Sequence, residues 1–277
     1  MNEESTVNRA LPRVTLVTAV FNGERYFRET LASIRAMRYP NLEYIVCDGG
    51  STDGTLEILE ANRDIISHLI VGKDKGMYDA LAKGFAKGTG EIFGWIGCDD
   101  LLMPWCLSTI VTFMDQTPGC QWVTGIPAII DAESKLVWMA QVVPQYRREW
   151  IRRGWYSNVG LGPIQQECTY FTRKLYEQVG GLAQFSEKRY AGDFLLWRRL
   201  AEHAELHQIG VLLAGYRIHS SNLSGDGSNY RKEARSVRIP SGKLIGYMYS
   251  YFMFLWHRFH RHPRMADRLP KQALHVR

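Results

Sequence analysis

The sequence predicts an α/β fold: a doubly wound, mostly parallel central sheet flanked by helices. Three observations carry that prediction. From Arg13 to Asp115, apolar β-branched runs alternate with segments of helical periodicity, the pattern of parallel strands joined by crossover helices. The 277 residues are 45% hydrophobic, enough to bury a core on both faces of such a sheet. Four successive strand ends carry polar, ligand-type residues, which a parallel sheet gathers on one rim.

The elements follow in order. Val14–Val20 is a β-branched run. Glu24–Met37 is entered through Asn22-Gly23 and carries Phe27, Leu31 and Ile34 at helical spacing. Leu42–Cys47 is the second strand and ends at Asp48-Gly49-Gly50. A helix over Thr55–Leu59 follows, with Ser51 or Asp53 as N-cap. His68–Val71 is a short third strand and Met77–Lys87 a helix. Glu91–Ile96 is the fourth strand, running into Cys98-Asp99-Asp100, with a helical segment from near Pro104. After residue 115 the rhythm changes. Gln121–Ile130 and Lys135–Val143 read as a hairpin around Asp131-Ala132-Glu133-Ser134. Gln145–Gly162 is rich in Arg, Trp, Tyr and Gly and reads as a long surface segment able to cover a site. Glu167–Thr172 reads as a strand, Leu175–Val179 as a short helix closed by Gly180-Gly181. Asp193–His203 is helical, with Leu195, Leu196 and Leu200 toward the core, and Val211–His219 is the last strand.

Composition narrows the function classes. The five cysteines are scattered, with no C-x-x-C pair or Cys/His ligand spacing, which signals neither a zinc site nor a disulfide framework. Reduced thiols of a cytosolic protein are the expectation. The acidic, polar start Met-Asn-Glu-Glu-Ser-Thr does not read as a signal peptide. No uninterrupted apolar run reaches the ~20 residues of a spanning helix. Residues 231–277 hold 11 Lys or Arg against 2 Asp or Glu, so with the whole chain at +6 the remainder is net −3. That remainder argues against a broad phosphate-binding face, so nucleic acid is not an expected partner. The tail has its own pattern: the apolar and aromatic run Leu244–Trp256, then His257-Arg258-Phe259-His260-Arg261-His262-Pro263-Arg264. Residues 241–277 thus read as a basic, aromatic, amphipathic helix suited to an anionic membrane surface. Packing on the domain or on a second subunit is the other reading, which leaves an oligomer open.

The chemistry-bearing residues sit on the rim. Asp99-Asp100 is an acidic pair at a strand tip, and two such carboxylates repel unless a cation or a donor-rich ligand lies between them. Asp48–Thr55 is a strand-to-helix turn with three glycines; Asp48 can accept from a base N–H or simply shape the turn. Asp193 opens a helix, where the dipole favours its ionised form; it reads as a catalytic base or as an N-cap acid.

Thr18-Ala19-Val20-Phe21-Asn22-Gly23, Asp48–Thr55 and the Asp99-Asp100 strand end, in that order, resemble the inverting family 2 glycosyltransferases of GT-A fold. Asp74-Lys75-Gly76-Met77-Tyr78-Asp79-Ala80 is similar to their bacterial polysaccharide and lipopolysaccharide branch. Gln165-Gln166-Glu167, Gly180-Gly181, Gly192-Asp193 and Tyr216-Arg217-Ile218-His219 extend the likeness to about residue 225. The resemblance implies a GT-A (Rossmann-like) domain over 1–240, with a nucleotide-sugar half at 12–115 and an acceptor half at 116–240. It implies transfer of a sugar, with inversion, from a UDP-linked or similar donor to a hydroxyl of a saccharide or lipid-linked saccharide. Mg2+ or Mn2+ would be the cofactor. Thr18, Ala19, Val20, Asn22, Asp48, Lys75, Asp79 and Asp99 would line the nucleotide sugar, and Asp100 and His219 would hold the metal. Asp193 would be the base, with Trp155, Gln166 and Glu167 on the acceptor side; Trp150, Trp155 and Tyr156 read equally as residues that stack on sugar rings or as loop anchors. The expected location is the cytoplasm, peripheral on the inner membrane. Two departures stand out: Ala82 where an Asn is common, and Cys98 before the acidic pair, which leaves a lean metal set. A sugar-phosphate nucleotidyltransferase is the alternative enzyme, but Thr18–Gly23 lacks the basic glycine-rich loop that such an enzyme would show. A non-enzymatic protein binding an anionic surface or nucleic acid is the third reading.

Overall fold

The structure, a computed structural model, describes residues 10–141, 143–156, 163–223, 225 and 227–237. Its centre is β1 (Val14–Val20), with β2 (Leu42–Asp48) on one side and β4 (Ile92–Trp95) on the other, all parallel, and β3 (His68–Val71) parallel beyond β2. β9 (Thr169–Thr172) runs antiparallel between β4 and β6 (Trp122–Thr124), and β10 (His207–Gln208) closes the far edge parallel to β6. The seven-stranded order is β10-β6-β9-β4-β1-β2-β3.

Alternation along the strands sorts the two faces. Val14, Leu16 and Val20 of β1, with Tyr44 and Val46 of β2, pack under α1 (Phe27–Ala36), α2 (Thr55–Glu60) and α4 (Cys106–Gln116). Val17, Ile45 and Cys47 face the other way, onto α3 (Met77–Lys87), α6 (Arg173–Gln178) and α7 (Gly192–His203). Glycine lets α3 lie close: a Cβ on Gly84 would come within 2.4 Å of Val17 Cγ1.

A second, four-stranded sheet, β5-β11-β7-β8, stands beyond the rim: β5 (Leu101–Leu102), β7 (Ala128–Ile130), β8 (Leu136–Met139) and β11 (Ala214–Arg217). The predicted strand over Gln121–Ile130 is therefore two strands in two sheets, broken where Gly125-Ile126-Pro127 turns the chain. The hairpin itself is present as β7–β8; its turn closes on Asp131 Oδ1, which accepts from the amides of Glu133 and Lys135. Glu167 lies on a 3-10 turn, Gln166–Cys168, not on the strand expected there. The surface segment from Gln145 contains α5 (Arg148–Arg153), and α8 (Ser228–Ser236) follows the last strand. Residues 157–162 and the whole 241–277 tail lie outside the described residues. Among the described residues, no helix is long and apolar enough to cross a membrane.

Candidate active site

The rim of the main sheet is laced together by short polar side chains. Asp48, at the tip of β2, takes the amides of Gly50 and Ser51 on Oδ1 at 3.0 and 2.9 Å and the Ser51 hydroxyl on Oδ2. Only 1% of Asp48 is exposed, so its contacts are those of a turn-shaping residue. Asn22, at φ 53°, accepts from the Thr52 amide at 2.9 Å, and its own amide donates to Ser51 Oγ at 2.9 Å. Thr18 points into the core, where its hydroxyl accepts from Tyr44. At Thr18–Val20 the main chain therefore faces the rim more than the Thr18 side chain does, and the Val20 carbonyl is already bonded to the Gly49 amide. Lys75 and Asp79 shape the next loop. Asp79 accepts from the Lys75 amide at 3.1 Å and pairs with Lys83 at 2.8 Å, while Lys75 Nζ reaches Glu187 at 2.8 Å on the open surface.

The acidic pair is held by its backbone and by Arg217. Thr30 of α1 donates to the carbonyls of Cys98 and Asp100, 3.0 and 2.8 Å away. β11 runs antiparallel to β5, and continuing that register brings the Arg217 amide 2.8 Å from Asp100 Oδ1. The Arg217 guanidinium is fully buried. It donates to the carbonyls of Asp99, Asp131 and Ala132, to Ser134 Oγ and to Glu29 Oε2, and lies 4.6 Å from the Tyr26 ring centre. One side chain thus ties together α1, the acidic loop and the β7–β8 turn.

His219 meets Asp99, not Asp100. Its Nε2 lies 2.9 Å from Asp99 Oδ2, which also accepts from Asn222 Nδ2 at 3.3 Å, and its ring lies 4.6 Å from that of Tyr26. Asp100 and His219 are expected to hold a metal together; His219 bonds directly to Asp99, while the Arg217 amide holds one oxygen of Asp100. The remaining carboxylate oxygens converge: a Cβ on Gly97 would lie 2.6 Å from Asp100 Oδ2 and 2.8 Å from Asp99 Oδ1. Burial first, then the charges of Asp99 and Glu167, push Asp100 well above the usual carboxylate range. A divalent cation would offset that repulsion. Among the described residues, no three His, Cys, Asp or Glu side chains converge as a ready-made cage. The donors present fit a hard cation that takes one or two carboxylates and its other ligands from phosphate and water.

Across from this pair stands Asp193, in the first turn of α7 and 7% exposed. Its Oδ1 lies 3.1 Å from the Tyr78 hydroxyl and its Oδ2 3.2 Å from that of Tyr230. Gly192 makes room for Tyr78: a Cβ there would come within 2.7 Å of the ring. Burial raises Asp193 to about 6, against the opposing pull of the Phe194 amide and the two phenols. Below it, Trp197 of α7 stacks on Trp95 at the end of β4, with ring centres 5.2 Å apart, and on Trp122 at 5.8 Å. This stack fixes the helix of Asp193 to the strand that delivers the acidic pair.

Glu167 lies between the two poles. It is 1% exposed, and among the described residues Oε1 has no hydrogen-bond partner. Burial, then the charges of Asp193 and Asp99, push it up to about 8. Gln166 is tied to the core through the Trp95 indole N–H, which it accepts at 2.9 Å. Trp155 lies under Arg153, 4.8 Å from the guanidinium, and Trp150 packs partly buried against the core. Tyr156 is fully buried against Phe194, 5.5 Å between ring centres, so it anchors the segment and does not stack on a sugar.

Sequence reasoning missed Arg217, Tyr78 and Asn222 as site residues, although the first two fall inside quoted motifs beside His219 and Asp79. It also missed Tyr230, which lies beyond every motif.

Comparison with known proteins agrees with this geometry. The sequence profile described as "Glycosyl transferase family 2" matches residues 15–180. An uncharacterized glycosyltransferase of Rickettsia typhi is 25% identical over 83% of this chain and 71% of its own length. One from Haemophilus influenzae is 23% identical over 86% and 75%. Among solved structures, Staphylococcus aureus TarS 1–349 in complex with UDP-GlcNAc superposes with a TM-score of 0.59 at 13% identity, over 94% of this chain and 77% of that one. A Pyrobaculum calidifontis mannosyltransferase in complex with GDP-Man and Mn2+ gives 0.59 at 17%, over 95% and 80%. The fold is of GT-A type, and the chain belongs to glycosyl transferase family 2.

Proposed function

We propose that this glycosyltransferase moves a sugar from a nucleotide-diphosphate donor, UDP-linked in the first instance, to a hydroxyl acceptor with inversion. The observation that carries this reading is Asp193: a buried carboxylate, raised to about 6 and held by two phenols, opposite the Asp99–Asp100–His219 cluster. A base with that pKa is largely ionised at neutral pH yet remains a useful proton acceptor. The nucleotide sugars in the TarS and mannosyltransferase complexes support the donor class.

In this reading the acceptor hydroxyl gives its proton to an Asp193 carboxylate oxygen. The acceptor oxygen bonds to the sugar's C1 as the C1–O bond to the diphosphate breaks, and the departing nucleoside diphosphate takes that electron pair. A single displacement inverts C1. Asp99, Asp100 and His219 would hold Mg2+ or Mn2+, which offsets charge on the departing diphosphate when bound. Lys75, Asp79, Asn22 and the Asp48 turn would frame the nucleotide, with Thr18, Ala19 and Val20 contributing chiefly main chain. Trp155, Gln166 and Glu167 would lie toward the acceptor, a saccharide or lipid-linked saccharide of cell-surface polysaccharide synthesis. The basic 241–277 tail supports a peripheral place on the cytoplasmic face of the inner membrane.

The test is a panel of nucleotide sugars with Mg2+ or Mn2+, read as nucleoside diphosphate release, with product anomeric configuration by NMR. Release with UDP sugars and an inverted product is the expected result. No release with any donor, or a retained configuration, would overturn the reading. Flotation of the full chain and of a 1–240 truncation on anionic liposomes tests the tail separately.

A further inference from the structure

The two phenols on Asp193 are not equivalent. Tyr78 comes from α3 in the middle of the core, 1% exposed. Its hydroxyl lies 2.9 Å from the Tyr190 carbonyl as well as 3.1 Å from Asp193 Oδ1, so one proton is shared between two acceptors. Among the described residues, the Tyr230 hydroxyl has a single acceptor, Asp193 Oδ2. It is therefore the undivided donor to the carboxylate.

Tyr230 arrives on α8, and α8 is clamped to the loop that leads into Asp193. Glu233 accepts from three consecutive amides, Arg189, Tyr190 and Ala191, at 3.3, 2.8 and 2.7 Å. Residues three apart share a helix face, so Tyr230 and Glu233 address the same ground side by side. Ala234 is 2% exposed, Tyr230 and Val237 pack against the core, and Arg198 of α7 donates to the Val237 carbonyl. A helix that needed only to cover the core would not need to carry a phenol to one oxygen of a buried acid and a carboxylate to the amides just before it.

We infer that Tyr230 is a positioning residue for Asp193, and that Glu233 holds α8 in register so that the phenol fixes Oδ2 and favours the ionised base. This rests on the reading of Asp193 as the base. The groups that face the carboxylate are Tyr78 from α3, Tyr230 from α8, Glu167 from the 3-10 turn and the first amides of α7, with Tyr156 beside Tyr230. Of these, only the Tyr230 donor is removed by Tyr230→Phe, which keeps the ring and its packing.

The experiment uses the full chain as Tyr230→Phe and Glu233→Ala. The Asp193 carboxyl carbon is titrated by 13C NMR, amide exchange is followed at 189–191, and kcat and KM are measured across pH with the best donor of the panel. For Tyr230→Phe the expected result is an Asp193 midpoint and an acid limb of kcat moved up by roughly half a pH unit or more. kcat should fall roughly tenfold, as for losing a hydrogen bond to a charged group, with donor KM within about twofold. Glu233→Ala should speed exchange at Tyr190 and Ala191 and lower kcat in the same way, while Tyr230→Phe leaves that exchange slow. An unmoved NMR midpoint and an unchanged kcat in Tyr230→Phe would overturn the inference. A midpoint that moves in Tyr230→Phe, beside a wild-type protein that transfers no sugar, would leave Tyr230's hold on Asp193 standing and sink the catalytic reading instead.

Discussion

Asp193→Asn separates catalysis from stability in opposite directions. Burial raises this carboxyl from 3.8 to about 6, so holding it ionised in the folded chain costs about 3 kcal/mol at neutral pH. The sign follows from linkage. The folded-state value lies above the unfolded one, so this group's stabilising contribution is full below about pH 4 and is lost as pH rises through about 6. Asparagine has nearly the same shape, carries no charge, and can still accept from one tyrosine while its amide donates to the oxygen of the other. At pH 7.5 the variant should therefore melt higher than wild type. If a third of that cost or more is relieved, the gain is roughly 2–10 °C for a domain of this size. Below pH 4 the two proteins should melt together.

In the proposed mechanism the same substitution removes the proton acceptor. Transfer should fall by roughly 10²–10⁴-fold, while nucleotide binding by calorimetry stays unchanged, because Asp193 stands across from the acidic cluster. In wild type the acid limb of kcat should have its midpoint near 6 and drop about tenfold per pH unit below it. A variant that keeps more than a tenth of the activity, or an acid limb near 4, would refute the assignment of the base. A variant that melts lower than wild type at pH 7.5 would refute the burial argument.

Other residues give independent checks. Arg217→Lys should fail to replace arginine, because one ammonium cannot satisfy carbonyls of Asp99, Asp131 and Ala132 together with Glu29; chemical denaturation should show a loss of roughly 2–4 kcal/mol. His219→Ala should weaken nucleoside diphosphate binding in Mn2+ by roughly tenfold or more and leave binding in EDTA unchanged, as read by calorimetry. Gly84→Ala should destabilise by about 1–3 kcal/mol, since its Cβ would meet Val17 at 2.4 Å and Cys47 at 3.1 Å. Glu167→Gln should match wild-type stability below about pH 4 and exceed it by about 1 kcal/mol or more at pH 8, because the raised acid loses its contribution as pH climbs from the unfolded value through about 8.

The first half of the chain was legible because its information is local. Strands of four to seven residues alternate with helices, each strand ends in its own polar string, and parallel order places those strings on one rim. The second half resists such reading because its strands are two to four residues long, too short for a period of two to register, and because β9 reverses direction between β4 and β6. The site depends on contacts between residues far apart in the chain. Nothing near Asp100 announces that the Arg217 amide, 117 residues on, will take one of its oxygens, and nothing near Asp193 announces Tyr230. The consequence is specific. The resemblance expects Asp100 and His219 to hold a metal together. The antiparallel β5–β11 pairing sets how these groups meet: it holds one oxygen of Asp100, leaves Asp99 to bond His219, and still points one oxygen from each acid at the space over Gly97. The two acids therefore act as a unit whose geometry is set by Arg217, and the buried arginine is as much a condition of the acidic site as the acids themselves.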